Sequence, residues 1–115
     1  MPFLKHLDDL SDITDITWND RKRLGPLDKA SQNIMRGKSS FSPAQKEVFA
    51  AFVSGLNACS FCYGSHAAVA KNFGVPQETI ELLVEDIDIA PIASNEKPLF
   101  QYLKKLTLSP SKLIQ

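Results

Sequence analysis

Apolar residues recur along the chain at helical spacing, and the clearest helix begins at Ser42-Pro43-Ala44-Gln45. Ser42 can cap the first turn, Pro43 suits the first helical position, and Gln45 completes a capping box. From there to about Leu56 one wide face is apolar, formed by Val48, Phe49, Phe52, Val53 and Leu56. The pattern therefore predicts a helix whose apolar face is turned towards a core.

Three more helices are predicted downstream. Asn57 can cap the second helix, which covers 59–73 and ends at Gly74. The third runs from Pro76 to about residue 86, and the fourth begins near Ser94-Asn95. The third directs Ile80, Leu83, Val84 and Ile87 inward, and the fourth buries Leu99, Phe100, Leu103 and Leu106. Strand signals are weak, so we predict an all-α fold.

The N-terminal part is more polar. Residues 1–20 carry five aspartates and are followed by Arg21-Lys22-Arg23, which indicates a solvated, partly helical arm; a charged patch for a partner is the alternative. Leu24-Gly25-Pro26-Leu27 predicts a break before a short helix over 27–36, closed by Gly37. We expect one domain over 1–115, with an arm and short helix (1–40), a helix pair (42–74) and covering helices (76–115).

The candidate chemistry lies on the second helix. Cys59, Cys62 and His66 stand at i, i+3 and i+7, so they share one face. A thiol in the first turn is favoured as thiolate, a second thiol can close a disulfide, and an imidazole one turn along can accept the proton. Two alternatives stay open: buried structural cysteines, or a Zn²⁺ site in which Glu47 or His6 supplies the fourth ligand.

Glu47 is the remaining candidate. It lies beside the small residues Ala51, Ser54 and Gly55, so we expect it to point into a close helix contact. Antiparallel packing brings residues twelve before and seven after Cys59 to similar heights, where Glu47 reaches His66 directly or through a water. The carboxylate would then orient the imidazole. The alternative is a surface glutamate paired with Lys46 or Lys71.

Composition narrows the function classes. The 115 residues hold 13 basic and 13 acidic side chains, which gives no global basic field for nucleic acid. No uninterrupted apolar run is long enough for a membrane span and no apolar leader is present, so a reducing cytoplasm is the expected compartment. Near-neutral charge and wide apolar helix faces predict a homo-oligomer whose interface buries part of Phe49, Phe52 or Phe73.

These residues resemble a known family. Glu47, followed by Cys59-Ser60-Phe61-Cys62-Tyr63-Gly64-Ser65-His66, is similar to the Glu-x11-Cys-x2-Cys-x3-His signature of the AhpD-like alkylhydroperoxidase branch of the carboxymuconolactone decarboxylase superfamily. The flanks Leu56-Asn57-Ala58 and His66-Ala67-Ala68 agree as well, and the resemblance extends over roughly 42–112. The region from Tyr102 to Pro110 resembles the longer peroxidase-related members, which continue for further helices, so we expect a chain truncated at its C-terminus.

The resemblance implies a helical, oligomeric thiol peroxidase without a bound cofactor. Cys62 would be the peroxidatic thiol, Cys59 the resolving thiol and proton donor, and His66 with Glu47 the proton relay. An external dithiol, such as a lipoyl group, would reduce the disulfide. One departure is that Phe61 stands where the best-known branch has histidine.

We therefore expect a peroxidase or disulfide oxidoreductase acting on hydroperoxides. A non-enzymatic redox-sensing or helical interaction module is the alternative, and a zinc site is the third. The true decarboxylases of the superfamily lack the cysteine pair, which argues against lactone decarboxylation here.

Overall fold

A computed structural model describes residues 7–8 and 11–113 of the chain. Within these residues the secondary structure consists of six α-helices and one short 3-10 helix, with no strand. The all-α prediction is therefore confirmed. The chain divides into two compact units, 1–38 and 39–115. The prediction of one domain over 1–115 stays a prediction.

The first unit contains α1 (Ile13–Asn19) and α2 (Arg21–Arg36). Asp12 caps α1 in a capping box with Asp15, and Asp20 caps α2 by accepting from the backbone N–H of Arg23. The side chains of both helices are exposed or half-buried, in agreement with the predicted arm.

The predicted break at Leu24-Gly25-Pro26-Leu27 is wrong, because α2 continues through it. Pro26 lies in the sixth position of the helix, where it cannot donate to the carbonyl of Lys22. A proline also clashes with the Cβ of the preceding residue, but Gly25 has none. The helix start is capped by Asp20, and Gly25 avoids the clash with Pro26. Together they allow α2 to continue although one backbone hydrogen bond is missing. Its predicted end before Gly37 is confirmed.

The second unit contains α3 (Pro43–Leu56), α4 (Ser60–Asn72), α5 (Gln77–Glu85), α6 (Lys97–Leu108) and a 3-10 turn (Pro110–Lys112). The predicted capping box is present: Ser42 Oγ accepts from Gln45 N at 3.1 Å, and Ser42 N donates to Gln45 Oε1 at 2.9 Å. Gly74 has φ +94°, and the carbonyls of Ala70 and Lys71 accept the reversed hydrogen bonds of a Schellman motif at the end of α4.

The core forms where α4, α5 and α6 pack against α3. Phe52 and Ile80 are completely buried, and Phe100 lies edge-on to Phe52 with ring centroids 5.2 Å apart. Phe49 contacts Phe100 and Phe41 in the same way. α3 is thus the central helix of this unit, and its side chains contact α4, α5 or α6 according to the face on which they lie.

Two burial predictions need correction. Leu106 was expected in the core but is 41% exposed, because α6 turns Phe100 inward and Leu99 and Leu103 only partly. Phe52 was a candidate for an oligomer interface, but its own chain buries it completely, which leaves Phe49 and Phe73. Within the described residues no helix is both long and apolar enough to cross a membrane.

Candidate active site

The site is built at the junction between α3 and α4, which is a second Schellman motif. The backbone N–H of Cys59 donates to Ser54 O at 3.0 Å, and that of Ala58 donates to Gly55 O at 3.0 Å. Ala58 occupies the left-handed position of this motif with φ +54°, where glycine is usual. The junction therefore holds the backbone of Cys59 in place at the cost of local strain.

Cys59 is the N-cap of α4. Its Sγ accepts from the backbone N–H of Cys62 at 3.4 Å, and the two sulfur atoms lie 2.6 Å apart. Asn57 was predicted as the cap, but it ends α3 instead, because the Schellman motif places the start of α4 two residues later. Both cysteines are free thiols and half-buried.

The two thiols differ in electrostatic environment. The hydrogen bonds from the side chain and the backbone of Cys62 lower the pKa of Cys59. The hydrogen bond with Cys59, together with desolvation, raises the pKa of Cys62. An N-cap thiolate receives the free N–H groups of the first turn, so these directions agree with the helix geometry. Cys59 is therefore the favoured thiolate, whereas the family resemblance implies that Cys62 is the attacking thiol.

Glu47 and His66 meet between α3 and α4. Glu47 Oε2 and His66 Nδ1 are 2.7 Å apart, and the glutamate is only 3% exposed. The contact predicted from antiparallel packing is confirmed, and the surface-glutamate alternative is wrong. A buried carboxylate is costly without a hydrogen-bond donor, so Nδ1–H is placed to donate to it. The other ring nitrogen, Nε2, then remains to exchange a proton.

The predicted four-residue site divides into two pairs. Among the described residues no hydrogen bond joins His66 to either sulfur. Helical rise places His66 about 6 Å along α4 from Cys62 and about 10 Å from Cys59. The thiol pair thus lies at the start of α4 and the Glu47–His66 pair about one turn or more further along, with Cys62 the nearer thiol.

A pocket of about 350 Å³ opens beside the thiol pair. It is lined by residues from the end of α3, the start of α4 and one side of α5: Gly55, Ala58, Cys59, Ser60, Tyr63, Glu81 and Val84. Neither Cys62 nor His66 belongs to this lining. Burial raises the pKa of Tyr63, and the charge of Glu81 adds to the effect.

Sequence reasoning missed the pocket residues Tyr63 and Glu81. Tyr63 had a local signal, since it lies one turn after Cys59 on α4. Glu81 had none, because only the packing of α5 brings it to the pocket. Phe61, which replaces the family histidine, is 62% exposed.

The arrangement gives the zinc alternative no support. Across residues 7–8 and 11–113, no group of three or more His, Cys, Asp or Glu side chains is arranged to hold a metal ion. His6, one proposed fourth ligand, lies outside the described residues.

The fold and site define an all-α protein with paired cysteines at the start of one helix, and the same helix carries the imidazole of a carboxylate–imidazole pair. The chain matches the model of the Carboxymuconolactone decarboxylase family over residues 26–104, and it belongs to that family. The family includes enzymes such as decarboxylases and peroxidases. No curated protein and no solved structure matches the chain significantly.

Proposed function

We propose that the chain is a thiol-dependent peroxidase or disulfide oxidoreductase of the AhpD-like branch. The observation that carries the proposal is the thiol pair with sulfurs 2.6 Å apart at the start of α4, on the same helix as an imidazole held by a buried carboxylate. A thiolate attacks a hydroperoxide, the second thiol closes the disulfide, and an external dithiol restores both thiols. No bound cofactor is needed for these steps.

The Glu47–His66 pair acts as the proton relay in this proposal. With Nδ1–H donating to Glu47, the neutral imidazole carries its lone pair on Nε2. Through water, Nε2 would exchange a proton with Cys62, the nearer of the two thiols along α4. Glu47 thereby fixes the tautomer and orientation of the imidazole, and it stabilises the imidazolium that forms.

The test is hydroperoxide-dependent turnover with a dithiol reductant such as dihydrolipoamide. We expect Cys59→Ser and Cys62→Ser each to abolish multiple turnover, and Ser65→Ala, an exposed change on the same helix, to leave it unchanged. Wild-type turnover in Cys62→Ser would refute the proposal. One oxidation per chain without further turnover would refute it in favour of the redox-sensing module.

We also propose that the protein acts as a homo-oligomer in a reducing, cytoplasmic compartment. Phe73 is 49% exposed at the end of α4, and Phe49 is half-buried, so both can contribute apolar surface to an interface. Light scattering at micromolar concentration should give a mass above the 12.7 kDa of one chain. A monomer would contradict this expectation.

A further inference from the structure

The pocket beside the thiol pair has an aromatic wall, which is formed by Tyr63. The backbone N–H of Tyr63 donates to Cys59 O at 2.9 Å, so the two residues lie one turn apart on α4. Helical side chains lean towards the N-terminus, which brings the Tyr63 ring over the turn that holds the thiols. The ring also lies against α3, because a Cβ at Gly55 would be 3.4 Å from Tyr63 Cδ2. The phenol is therefore held between α3 and α4 next to the thiol pair.

The hydroxyl of Tyr63 is available as a hydrogen-bond donor. Among the described residues it makes no hydrogen bond to another side chain or to the backbone, and no buried polar side-chain atom lacks a partner. The hydroxyl is therefore accessible to a molecule in the pocket. Burial and the charge of Glu81 raise the pKa of Tyr63, so the phenol keeps its proton and can donate a hydrogen bond.

The proposed chemistry needs a donor at this place. When a thiolate attacks the terminal oxygen of a hydroperoxide, the other oxygen leaves as a basic alkoxide, and a donor aimed at that developing charge lowers the barrier. The pocket offers two hydroxyl groups, those of Tyr63 and Ser60. Ser60 is exposed, whereas Tyr63 is half-buried, and a donor shielded from water stabilises charge more strongly. Tyr63 is therefore the better placed of the two.

Resting on the proposed function, we infer that the Tyr63 hydroxyl binds the leaving oxygen of an alkyl hydroperoxide and stabilises the alkoxide that forms. Tyr63 is thus a further catalytic residue of this site. The alkyl group would lie against the apolar surface of Gly55, Ala58 and Val84 in the same pocket. This role holds with either sulfur as the attacking atom, because the two sulfur atoms lie only 2.6 Å apart.

Electrons and protons balance in this scheme. The attacking thiol gives its proton to His66 through water, and its sulfur bonds to the terminal oxygen while the O–O bond breaks, so sulfur is oxidised by two electrons to the sulfenic acid. The alkoxide, held by the Tyr63 hydrogen bond, takes the proton of the second thiol and leaves as the alcohol. The second thiolate attacks the sulfenic sulfur and expels hydroxide, which the proton returned by His66 converts to water. The external dithiol later returns two electrons and two protons.

The experiment removes the hydroxyl and varies the leaving group. Tyr63→Phe keeps the ring, and Tyr102→Phe on α6 is the matched control, because Tyr102 is 53% exposed and lies outside the pocket lining. Reduced protein is mixed with tert-butyl hydroperoxide or with peracetic acid. Rapid quenching and mass spectrometry then give the second-order rate constant of disulfide formation in a single turnover. The first oxidant releases a strongly basic alkoxide, and the second releases a weakly basic carboxylate that needs little stabilisation.

We expect Tyr63→Phe to slow oxidation by tert-butyl hydroperoxide roughly 10- to 100-fold and oxidation by peracetic acid less than about threefold, with Tyr102→Phe equal to wild type. Near-normal oxidation by peracetic acid also shows that the variant is folded. An unchanged rate with tert-butyl hydroperoxide, or an equal loss with both oxidants, would overturn the inference and leave the proposed function intact. A selective loss in Ser60→Ala in place of Tyr63→Phe would do the same. No oxidation of wild type by either oxidant would overturn both.

Discussion

Ala58 gives the sharpest test of how the active-site junction is built. Its φ of +54° lies in the left-handed region, where an L-residue costs roughly 1–2 kcal/mol and glycine is unhindered. Glycine at this position also increases the conformational entropy of the unfolded chain, and this lowers the free energy of unfolding by about 0.4–1 kcal/mol. The difference predicts that Ala58→Gly stabilises the protein by about 0.5–1 kcal/mol. Both hydrogen bonds of the motif are backbone bonds, so glycine retains them.

The assay is urea unfolding of the reduced protein, followed by circular dichroism. Ala68→Gly is the matched control, because Ala68 is exposed within regular α4 and glycine there should cost about 1 kcal/mol. The same substitution is thus expected to have opposite signs at two sites on either side of the thiol pair. An Ala58→Gly variant less stable than wild type would refute the left-handed conformation at this junction.

Three further outcomes are expected around the site. Glu47→Gln removes the charge that stabilises the imidazolium, so peroxidase kcat should fall roughly 10- to 100-fold with an altered pH–rate profile; an unchanged profile would contradict the relay. Gly55→Ala brings a Cβ to 2.7 Å from Val84 Cγ2 and should cost about 1–3 kcal/mol in urea unfolding, with part recovered by adding Val84→Ala. Because its pKa is lowered, the Cys59 thiolate persists at lower pH, so iodoacetamide should label Cys59 before Cys62 as pH rises; the reverse order would contradict this direction.

The sequence predicted the parts of this fold that depend on strong local signals. Ser42 and Gln45 form a capping pair whose two reciprocal hydrogen bonds are typical of a helix N-terminus, and the structure contains both of them. Gly74 ends α4 because only glycine enters its φ without strain. The meeting of Glu47 and His66 followed from two helices of known period packed antiparallel across a short connection.

The sequence did not predict the parts of the fold in which a residue adopts a backbone conformation that its type usually avoids. Proline within α2 is tolerated because Gly25 precedes it, which a rule based on Gly-Pro as a breaker does not anticipate. Ala58 has no sequence signal for a left-handed conformation, so Asn57 was expected to cap the next helix. That error of two residues concealed the N-cap position of Cys59 and the pocket beside it.

The position of the N-cap of α4 also determines the environment of the two thiols. A Cys-x-x-Cys pair has the same spacing as an N-cap residue and the third residue of its helix, so one sulfur can accept the other's backbone N–H only when the first cysteine is the cap. Had Asn57 been the cap, Cys59 would lie inside the first turn and the two thiols would have similar environments. The strained alanine at the end of α3 thus determines that Cys59, and not Cys62, is the thiol that caps α4.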